Sequence, residues 1–305
     1  MTKQESTKYL IVIGGPTAIG KTEVALNLAV KYDCPIFSAD SRQFYKEMNI
    51  GTAKPSADEL GLAKHHFINN LSIHDEYSVG QYEKEAINAL DKIYKENDIA
   101  ILVGGTGLYI NAILEGLDDF PKVDADIKLR FNRKFRMEGI ISLQSQLKEQ
   151  DPAYAEKVDI NNPHRLIRAL SVIESSGKTF TSFLDQKTTK RTFKPIKIAL
   201  TMERHLLYDK INKRVDRMFE NGLVDEVKSL FEYRHLNALN TVGYSEIFEH
   251  LEGNCFISES IEMIKQNTRR YAKRQSTWFR NQGEWSYVES TKLDKIEEFV
   301  NSQFQ

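Results

Sequence analysis

Three apolar runs in the first third of the chain set its frame. Tyr9-Leu-Ile-Val-Ile13 has no polar interruption, as expected of a short parallel strand covered on both faces. Ile36-Phe-Ser-Ala-Asp40 reads as a second strand that ends in a carboxylate, and Ile99-Ala-Ile-Leu-Val103 as a third that runs into Gly104-Gly-Thr-Gly107. Between them the apolar period lengthens to three or four: Val24, Leu28 and Lys31 after the first run, then Val79, Tyr82, Ala86, Leu90 and Ile93 within 78–96. Strands alternating with helices predict a parallel sheet with helices on both faces. Ligands of such sheets bind beyond the carboxyl ends of the strands. Asp40, Thr106 and the residues after Ile13 are therefore expected to converge on one edge.

Around Pro121 the pattern changes. Residues 126–176 read as helices without strands, and one is sharply bounded, with Asn162 as N-cap, Pro163 at the first helical position and Gly177 just past the end. Lys187-Thr-Thr-Lys-Arg-Thr192 reads as a polar return loop, followed by a strand-like run, Ile196-Lys-Ile-Ala-Leu200. The expected organisation is an α/β core made of 1–121 and 191–305, with a helical insertion domain at 122–190. The rest reads as mainly helical, with a buried stripe of Leu207, Ile211, Val215 and Met218, then a strand-like Trp285-Ser-Tyr-Val288 and a terminal helix. There are no internal repeats.

The first strand leads into Gly15-Pro-Thr-Ala-Ile-Gly-Lys-Thr22, which satisfies G-x-x-x-x-G-K-[ST], the P-loop pattern, in a strand–loop–helix context. The fold class is accordingly a P-loop NTPase-like parallel sheet flanked by helices, with an all-helical insertion domain. In such a loop the glycines aim backbone N–H groups into one concavity at a helix N-terminus, Lys21 adds a point charge and Thr22 a hydroxyl for Mg²⁺. That cradle holds a diphosphate, whatever is attached to it. Many hydrolases of this fold carry an aspartate at the end of an apolar strand to hold Mg²⁺, but the 99–103 strand ends in Gly-Gly-Thr. ATP is therefore expected to be neither hydrolysed nor required.

The carboxylate stands elsewhere, in Asp40-Ser41-Arg42-Gln43. A strand-end aspartate beside a diphosphate cradle is placed to take a proton from an incoming nucleophile; outer-sphere Mg²⁺ binding or helix capping are its other roles. Arg214 lies against the buried stripe of its helix, so its guanidinium needs an anion, either a departing diphosphate or an acidic residue of the fold. Arg165 and Arg168 share one helix face while Leu166, Leu170 and Ile173 occupy another, a split that fits phosphate gripping and also fits any solvated helix. Thr268–Arg280 interleaves five cationic residues with aromatics and has no acidic ones, as a nucleic-acid-tracking or simply basic helix would. His65 and His66 have no neighbouring metal-ligand spacing and read as structural or substrate-lining.

Composition adds two points. Hydrophobic content of 41% with 28% charged residues describes a globular chain, and Cys34 and Cys255 are too far apart in sequence for a metal pair, as suits a reducing, cytoplasmic setting. The run after the polar N-terminus is too short for a signal segment or membrane span. Net charge is −1, yet residues 122–194 hold 15 Lys/Arg against 9 Asp/Glu, so this segment is +6 and the remainder −7. Such asymmetry points to a local anionic partner, or to an ordinary charged helix surface.

Together these residues resemble the tRNA dimethylallyltransferases (tRNA isopentenyltransferases) of bacterial type, over almost the full length. The resemblance is carried by the P-loop, Asp40-Ser-Arg-Gln-Phe-Tyr45, Asn49-Ile-Gly-Thr-Ala-Lys-Pro55, His65-His-Phe-Ile68, Val103-Gly-Gly-Thr-Gly-Leu-Tyr109, Asn162-Pro-His-Arg-Leu-Ile-Arg-Ala169, Gly177-Lys-Thr179, Val242-Gly-Tyr244 and Ala272-Lys-Arg-Gln275 in this order. It implies transfer of a dimethylallyl group from dimethylallyl diphosphate to N6 of the adenosine 3′ to the anticodon, with Mg²⁺ and release of diphosphate. It implies that Gly15 and Thr17, Ala18, Ile19, Gly20, Lys21 and Thr22 hold the diphosphate, although such segments are often labelled ATP-binding. Asp40 would deprotonate the adenine amino group, Thr106 align it and Arg214 stabilise the leaving group. Asp40, Ser41, Arg42, Gln43, Thr106, Lys128, His164, Arg165, Leu166, Ile167 and Arg168 would contact tRNA, with the insertion closing over the anticodon stem-loop. The expected protein is a cytoplasmic monomer without membrane contact. Lys128 stands where the family is expected to carry an arginine, and the two cysteines cannot form the zinc-finger tail of eukaryotic relatives. The competing readings are a P-loop small-molecule kinase, an isopentenyltransferase acting on free adenine nucleotides, and a non-catalytic RNA-binding protein.

Overall fold

The computed structural model describes residues 6–184 and 190–304. The chain divides into two compact units, residues 1–114 with 191–305, and residues 115–190. In the larger unit β1 (Tyr9–Gly14), α1 (Lys21–Tyr32), β2 (Ile36–Ser38), α2 (Ala57–Leu62), β3 (His65–His66), α3 (Val79–Ile93), β4 (Ile99–Gly104) and α4 (Gly107–Glu115) come first. The smaller unit holds α5 (Ala125–Gln150), α6 (Pro152–Lys157), α7 (Pro163–Ser176) and a 3₁₀ turn at Phe180–Phe183. The chain then returns with β5 (Lys194–Thr201), α8 (Arg204–Glu220), α9 (Leu223–Ser229), α10 (Ser245–Leu251), α11 (Ile257–Asn281), β6 (Ser286–Glu289) and α12 (Leu293–Gln303).

The six strands form one sheet in the order β3-β2-β4-β1-β5-β6, and every pairing is parallel. β1 is central because both of its faces are covered. Ile11 and Ile13 pack with Val24 and Leu28 of α1, Leu207 and Ile211 of α8 and Ile296 and Val300 of α12. Leu10 and Val12 pack on the opposite side with Tyr82, Ala86 and Leu90 of α3, Ile110 of α4 and Phe279 of α11. Each such side chain contributes about 1.5–3 kcal/mol on burial, which explains why the run tolerates no polar residue. The stripe of α8 is shared: Leu207 and Ile211 face the sheet, whereas Val215 and Met218 join α9 and α10 in a third core. Arg191 fastens the returning chain through Nη2, which bonds Glu83 Oε1 at 2.6 Å and the Ala112 carbonyl at 2.6 Å.

The smaller unit is built on the pairing of α5 with α7. Phe131, Leu143 and Leu147 meet Leu166, Leu170 and Phe180. α7 has the expected ends: the Asn162 side chain accepts the Arg165 N–H, Pro163 opens the helix, and Gly177 at φ 68° closes it. Gly139 at φ 76° breaks α5 into two stretches, a kink that the apolar pattern does not disclose.

Several expectations are corrected. β2 stops at Ser38, so Asp40 sits in the turn that follows rather than on the strand. The smaller unit begins at Glu115, ahead of Lys122. α2 and β3 were not expected; β3 extends the sheet edge by only two residues, too few to show a periodicity. Leu166 and Ile167 are 0% and 4% exposed, so their side chains belong to the helical core and offer no surface to RNA. Residues 187–189 of the expected return loop lie outside the described residues.

Asp151 ties the smaller unit together. It is 1% exposed, and its carboxylate accepts the Tyr154 N–H at 3.1 Å and the Thr181 N–H and hydroxyl at 2.8 and 2.7 Å. Asp151→Ala leaves these buried donors unpaired and removes the cap of α6, a cost of about 2–4 kcal/mol. Amide hydrogen exchange at Tyr154 and Thr181 is expected to quicken accordingly. Unchanged protection at both amides in the variant would remove Asp151 from this role.

Candidate active site

β1 ends at Gly14, and the chain must then reverse within a few residues to enter α1. Gly15 at φ 145° and Gly20 at φ 106° supply conformations that side-chain-bearing residues avoid, and Ala18 at φ 65° adopts the left-handed region despite its methyl group. The result is a loop wrapped around the N-terminus of α1, with Lys21 and Thr22 as its first two residues. Ile19 is 1% exposed, so it anchors the loop in the core and can contribute only backbone to a ligand. Lys21 Nζ donates to the Pro16 carbonyl at 2.8 Å and so lies across the loop. Thr17 is committed on both sides: its N–H donates to Gln275 Oε1 at 2.9 Å and its Oγ1 accepts from Arg214 Nη1 at 3.0 Å. Its N–H is therefore not one of the free donors expected of the cradle.

Asp40 lies beyond the end of β2, where its Oδ1 accepts the Arg42 N–H at 3.0 Å and its carbonyl accepts the Gln43 N–H at 3.1 Å. Among the described residues no hydrogen bond is made to Oδ2. The expected alternative of helix capping does not apply, because a turn and not a helix follows. Thr106 sits between β4 and α4, and it lines the same cavity as Tyr271 of α11. Thr17, Asp40, Thr106, Arg214 and Tyr271 all line one cavity of about 330 Å³. The sheet edge therefore brings together Asp40, Thr106 and, through Thr17, the P-loop as expected, and Arg214 of α8 joins them.

The charges in this cavity act on one another. Loss of solvent lowers the Lys21 pKa to about 8, with Asp40 opposing the shift and Arg214 adding to it. Burial likewise lowers Arg214, again opposed by Asp40. One carboxylate thus acts on both cations. The alternative of a private acidic partner for Arg214 is not found among the described residues. Burial raises the Tyr271 phenol, so it remains a neutral hydroxyl beside Thr106.

Two of the expected RNA-contacting side chains are used within the protein. Arg42 Nη1 donates to the Asn237 and Ala238 carbonyls at 3.1 and 3.0 Å, and Nη2 to Asn240 at 3.2 Å. Gln43 points its amide at the Thr52 and Ala53 carbonyls, 3.4 and 3.3 Å away. Ser41 and Arg42 line the cavity, and Gln43 supports its wall from behind. Lys128, His164, Arg165 and Arg168 are exposed on the smaller unit, with the Arg168 guanidinium 5.3 Å from the Phe120 ring centre. His65 and His66 are half-buried at the sheet edge, and the His66 ring stacks on Phe37, a structural use of both.

Residues that carried no assigned role now enter the site. Tyr271, Thr268 and Arg274 reach the cavity from one face of α11, and Gly51 and Thr52 reach it from the loop before α2. The spacing of 268, 271, 274 and 275 within the basic run was the available signal, because these positions share a helix face. Glu226 holds the far wall. Its Oε2 accepts the Asn49 and Ile50 N–H groups at 3.0 and 2.8 Å, and its Oε1 accepts Gly51 N–H and the Tyr244 hydroxyl at 3.0 and 2.7 Å. A second cavity of about 390 Å³ opens beside Gly15 and Ile19, lined by the apolar Leu200, Leu207 and Phe279 and by the cationic Arg204, Lys273 and Arg280.

A model of the IPP transferase family matches residues 43–282 of this chain. A tRNA dimethylallyltransferase from Christiangramia forsetii is 50% identical over 301 residues, covering 97% of this chain and 100% of that protein. One from Flavobacterium johnsoniae is 46% identical, covering 96% and 97%. Among solved structures, the tRNA isopentenylpyrophosphate transferase of Bacillus halodurans is 35% identical with a TM-score of 0.72, covering 98% of this chain and 97% of that one. A eukaryotic dimethylallyltransferase described as acting on tRNA is 26% identical with a TM-score of 0.78, covering 97% and 77%. With a family model spanning most of the chain and relatives this similar along nearly all of it, the protein belongs to the IPP transferase family.

Proposed function

We propose that this chain transfers the dimethylallyl group of dimethylallyl diphosphate to N6 of the adenosine 3′-adjacent to the anticodon in tRNA. The observation that carries this reading is the single cavity in which Asp40, Thr106 and Arg214 meet Thr17 of the P-loop. A carboxylate and a diphosphate cradle on one small chamber suit a displacement at a carbon bearing diphosphate, where the nucleophile must lose a proton and the leaving group gains charge. The relatives named for this reaction support the same conclusion.

In the reaction, adenine N6 attacks the allylic carbon, the N–C bond forms and the C–O bond to diphosphate breaks. The free Oδ2 of Asp40 takes the N6 proton, while Oδ1 stays tied to the Arg42 N–H and fixes the carboxylate plane. Thr106, with Tyr271 in the same cavity wall, aligns the amino group. Loop N–H groups, Lys21 and Arg214 receive the charge that develops on diphosphate. The target base must leave the loop stack to enter so small a chamber. The cavity beside Gly15 offers Leu200, Leu207 and Phe279 to the allyl group, which water would otherwise capture.

Mg²⁺ fits this donor set in a specific way. Among the described residues no group of three His, Cys, Asp or Glu side chains could hold a metal. Thr22 is the residue at the start of α1 placed to offer a hydroxyl. Mg²⁺ keeps several waters and binds readily through substrate phosphates with one or two protein ligands. When bound, it supplies charge neutralisation on the diphosphate.

Asp40→Asn keeps the acceptor for Arg42 but removes the base, so the single-turnover rate with bound tRNA should fall by roughly 10²–10⁴. Affinity for tRNA should stay within a few-fold. A variant turning over at the wild-type rate would exclude Asp40 as the base.

Lys21 gives a pH test. With its pKa at about 8, the side chain is charged at pH 7 and loses its proton as pH rises towards 9. Affinity for inorganic diphosphate should then drop by up to about tenfold over this range, relative to Lys21→Arg, which stays charged. The titration of diphosphate itself is common to both proteins and cancels in the ratio. Parallel pH profiles would show that Lys21 titrates outside this window.

For the smaller unit, Arg165 and Arg168 are read as contacts to phosphates of the anticodon stem. The double Arg→Ala variant should bind tRNA more weakly, with a log–log salt slope flatter by about 0.7–0.9 for each lost contact. Diphosphate affinity should not change. Equal tRNA affinity and slope would make both arginines plain solvated surface.

A further inference from the structure

Gln275 stands between the two loops that carry the two halves of the reaction. It lies on α11 and is 7% exposed, although the run around it is strongly basic. Its Oε1 accepts the Thr17 N–H of the P-loop at 2.9 Å, and its Nε2 donates to the Gly105 carbonyl at 2.9 Å. Both partners are backbone groups of fixed polarity, so only one orientation of the amide satisfies them. The contact also dictates the sequence opposite: a Cβ on Gly105 would lie 2.2 Å from Gln275 Nε2 and 3.1 Å from the Gly15 carbonyl. One turn earlier on the same helix, Tyr271 lines the same cavity as Thr106. Gln275 therefore holds the diphosphate loop and the adenine-aligning loop to each other.

We propose that Gln275 is a positioning residue that couples the binding of the two substrates, so that each binds more tightly when the other is present. The proposal rests on the assignment of the P-loop to dimethylallyl diphosphate and of Thr106 to the adenine. The physical route is short. Thr17 is joined to Arg214 through its hydroxyl and to Gln275 through its N–H, so ordering of the P-loop by diphosphate constrains the amide. The amide in turn constrains the Gly105 carbonyl, one residue from Thr106. A ligand that orders one loop leaves less disorder for the second ligand to remove, which is positive coupling without a large structural change. Gln275 itself touches neither substrate in this scheme.

The experiment is a pair of titrations with the full chain. Inorganic diphosphate is titrated with and without an anticodon stem-loop RNA, and the ratio of the two affinities is the coupling factor. In the wild type the RNA should tighten diphosphate binding by about fivefold or more. In Gln275→Met, which keeps the volume but loses both hydrogen bonds, the factor should fall close to one while each separate affinity changes only about two- to threefold. Gln275→Glu keeps the acceptor for Thr17 but lacks the donor for Gly105, so it should lose the coupling too, and it carries the test if the Met variant does not fold. A merely structural glutamine would weaken both ligands or lower the melting point while leaving the ratio intact. A wild-type factor of one, or variants that retain the wild-type factor, would overturn the proposal. Failure of the wild type to bind RNA or diphosphate at all would instead overturn the substrate assignment beneath it.

Discussion

Two cations share one carboxylate at the edge of the sheet, and much of the site follows from that imbalance. Lys21 and Arg214 each lose solvent, and Asp40 is the charge that opposes both shifts. The cations are also fastened, Lys21 to the Pro16 carbonyl and Arg214 to the Thr17 hydroxyl. The cluster remains short of negative charge, and a diphosphate would supply it. The same surplus serves the chemistry, because charge moves onto the diphosphate as the carbon–oxygen bond breaks.

The parallel sheet makes the cluster possible. Since all strands run one way, the ends of β1, β2 and β4 lie side by side, and the loops that follow them meet over the sheet. Close approach sets the residue types there. A Cβ on Gly104 would meet the Ala39 carbonyl at 2.9 Å, so the end of β4 presses directly on the residue before Asp40. α11 then crosses these loops and fastens them through Gln275. Its basic composition hides one neutral, buried and doubly hydrogen-bonded side chain, Gln275.

The wall opposite Asp40 is held by internal charge. Glu226 gathers three consecutive backbone N–H groups and the Tyr244 hydroxyl, an arrangement that would suit a phosphate had the protein not filled it. Tyr244 also packs on Gly51 so tightly that a Cβ there would lie 2.4 Å from the ring. Arg42 and Gln43 are spent in the same way, on carbonyls of neighbouring loops. Polar side chains of ligand-like character, Glu226 and Gln43 among them, thus hold the chamber's loops in place.

The order of elements, the central strand and the P-loop could be read from the chain itself, because they rest on local rules. An uninterrupted apolar run must be buried on both faces, a glycine must take the left-handed turns at Gly15 and Gly20, and Asn162-Pro163 with Gly177 must bound a helix. Arg214 was legible for a related reason: its place against the apolar stripe of α8 forces it inward, and the anion question follows. What the tertiary structure alone decided is which polar groups are still available. Thr17 N–H, Arg42 and Gln43 look free in sequence but are bound by Gln275 and by carbonyls of the 237–240 and 52–53 segments, partners far from them along the chain in all but one case. Leu166 and Ile167 sit in a motif with arginines yet belong to the core, since α5 and the Phe180 turn cover them. Gln275 and Tyr271 were hidden for the converse reason, lying in a run whose charge draws attention to its outer face. Hydrogen bonds between distant segments leave no period in a sequence, so the use of each donor becomes visible only when the chain is folded.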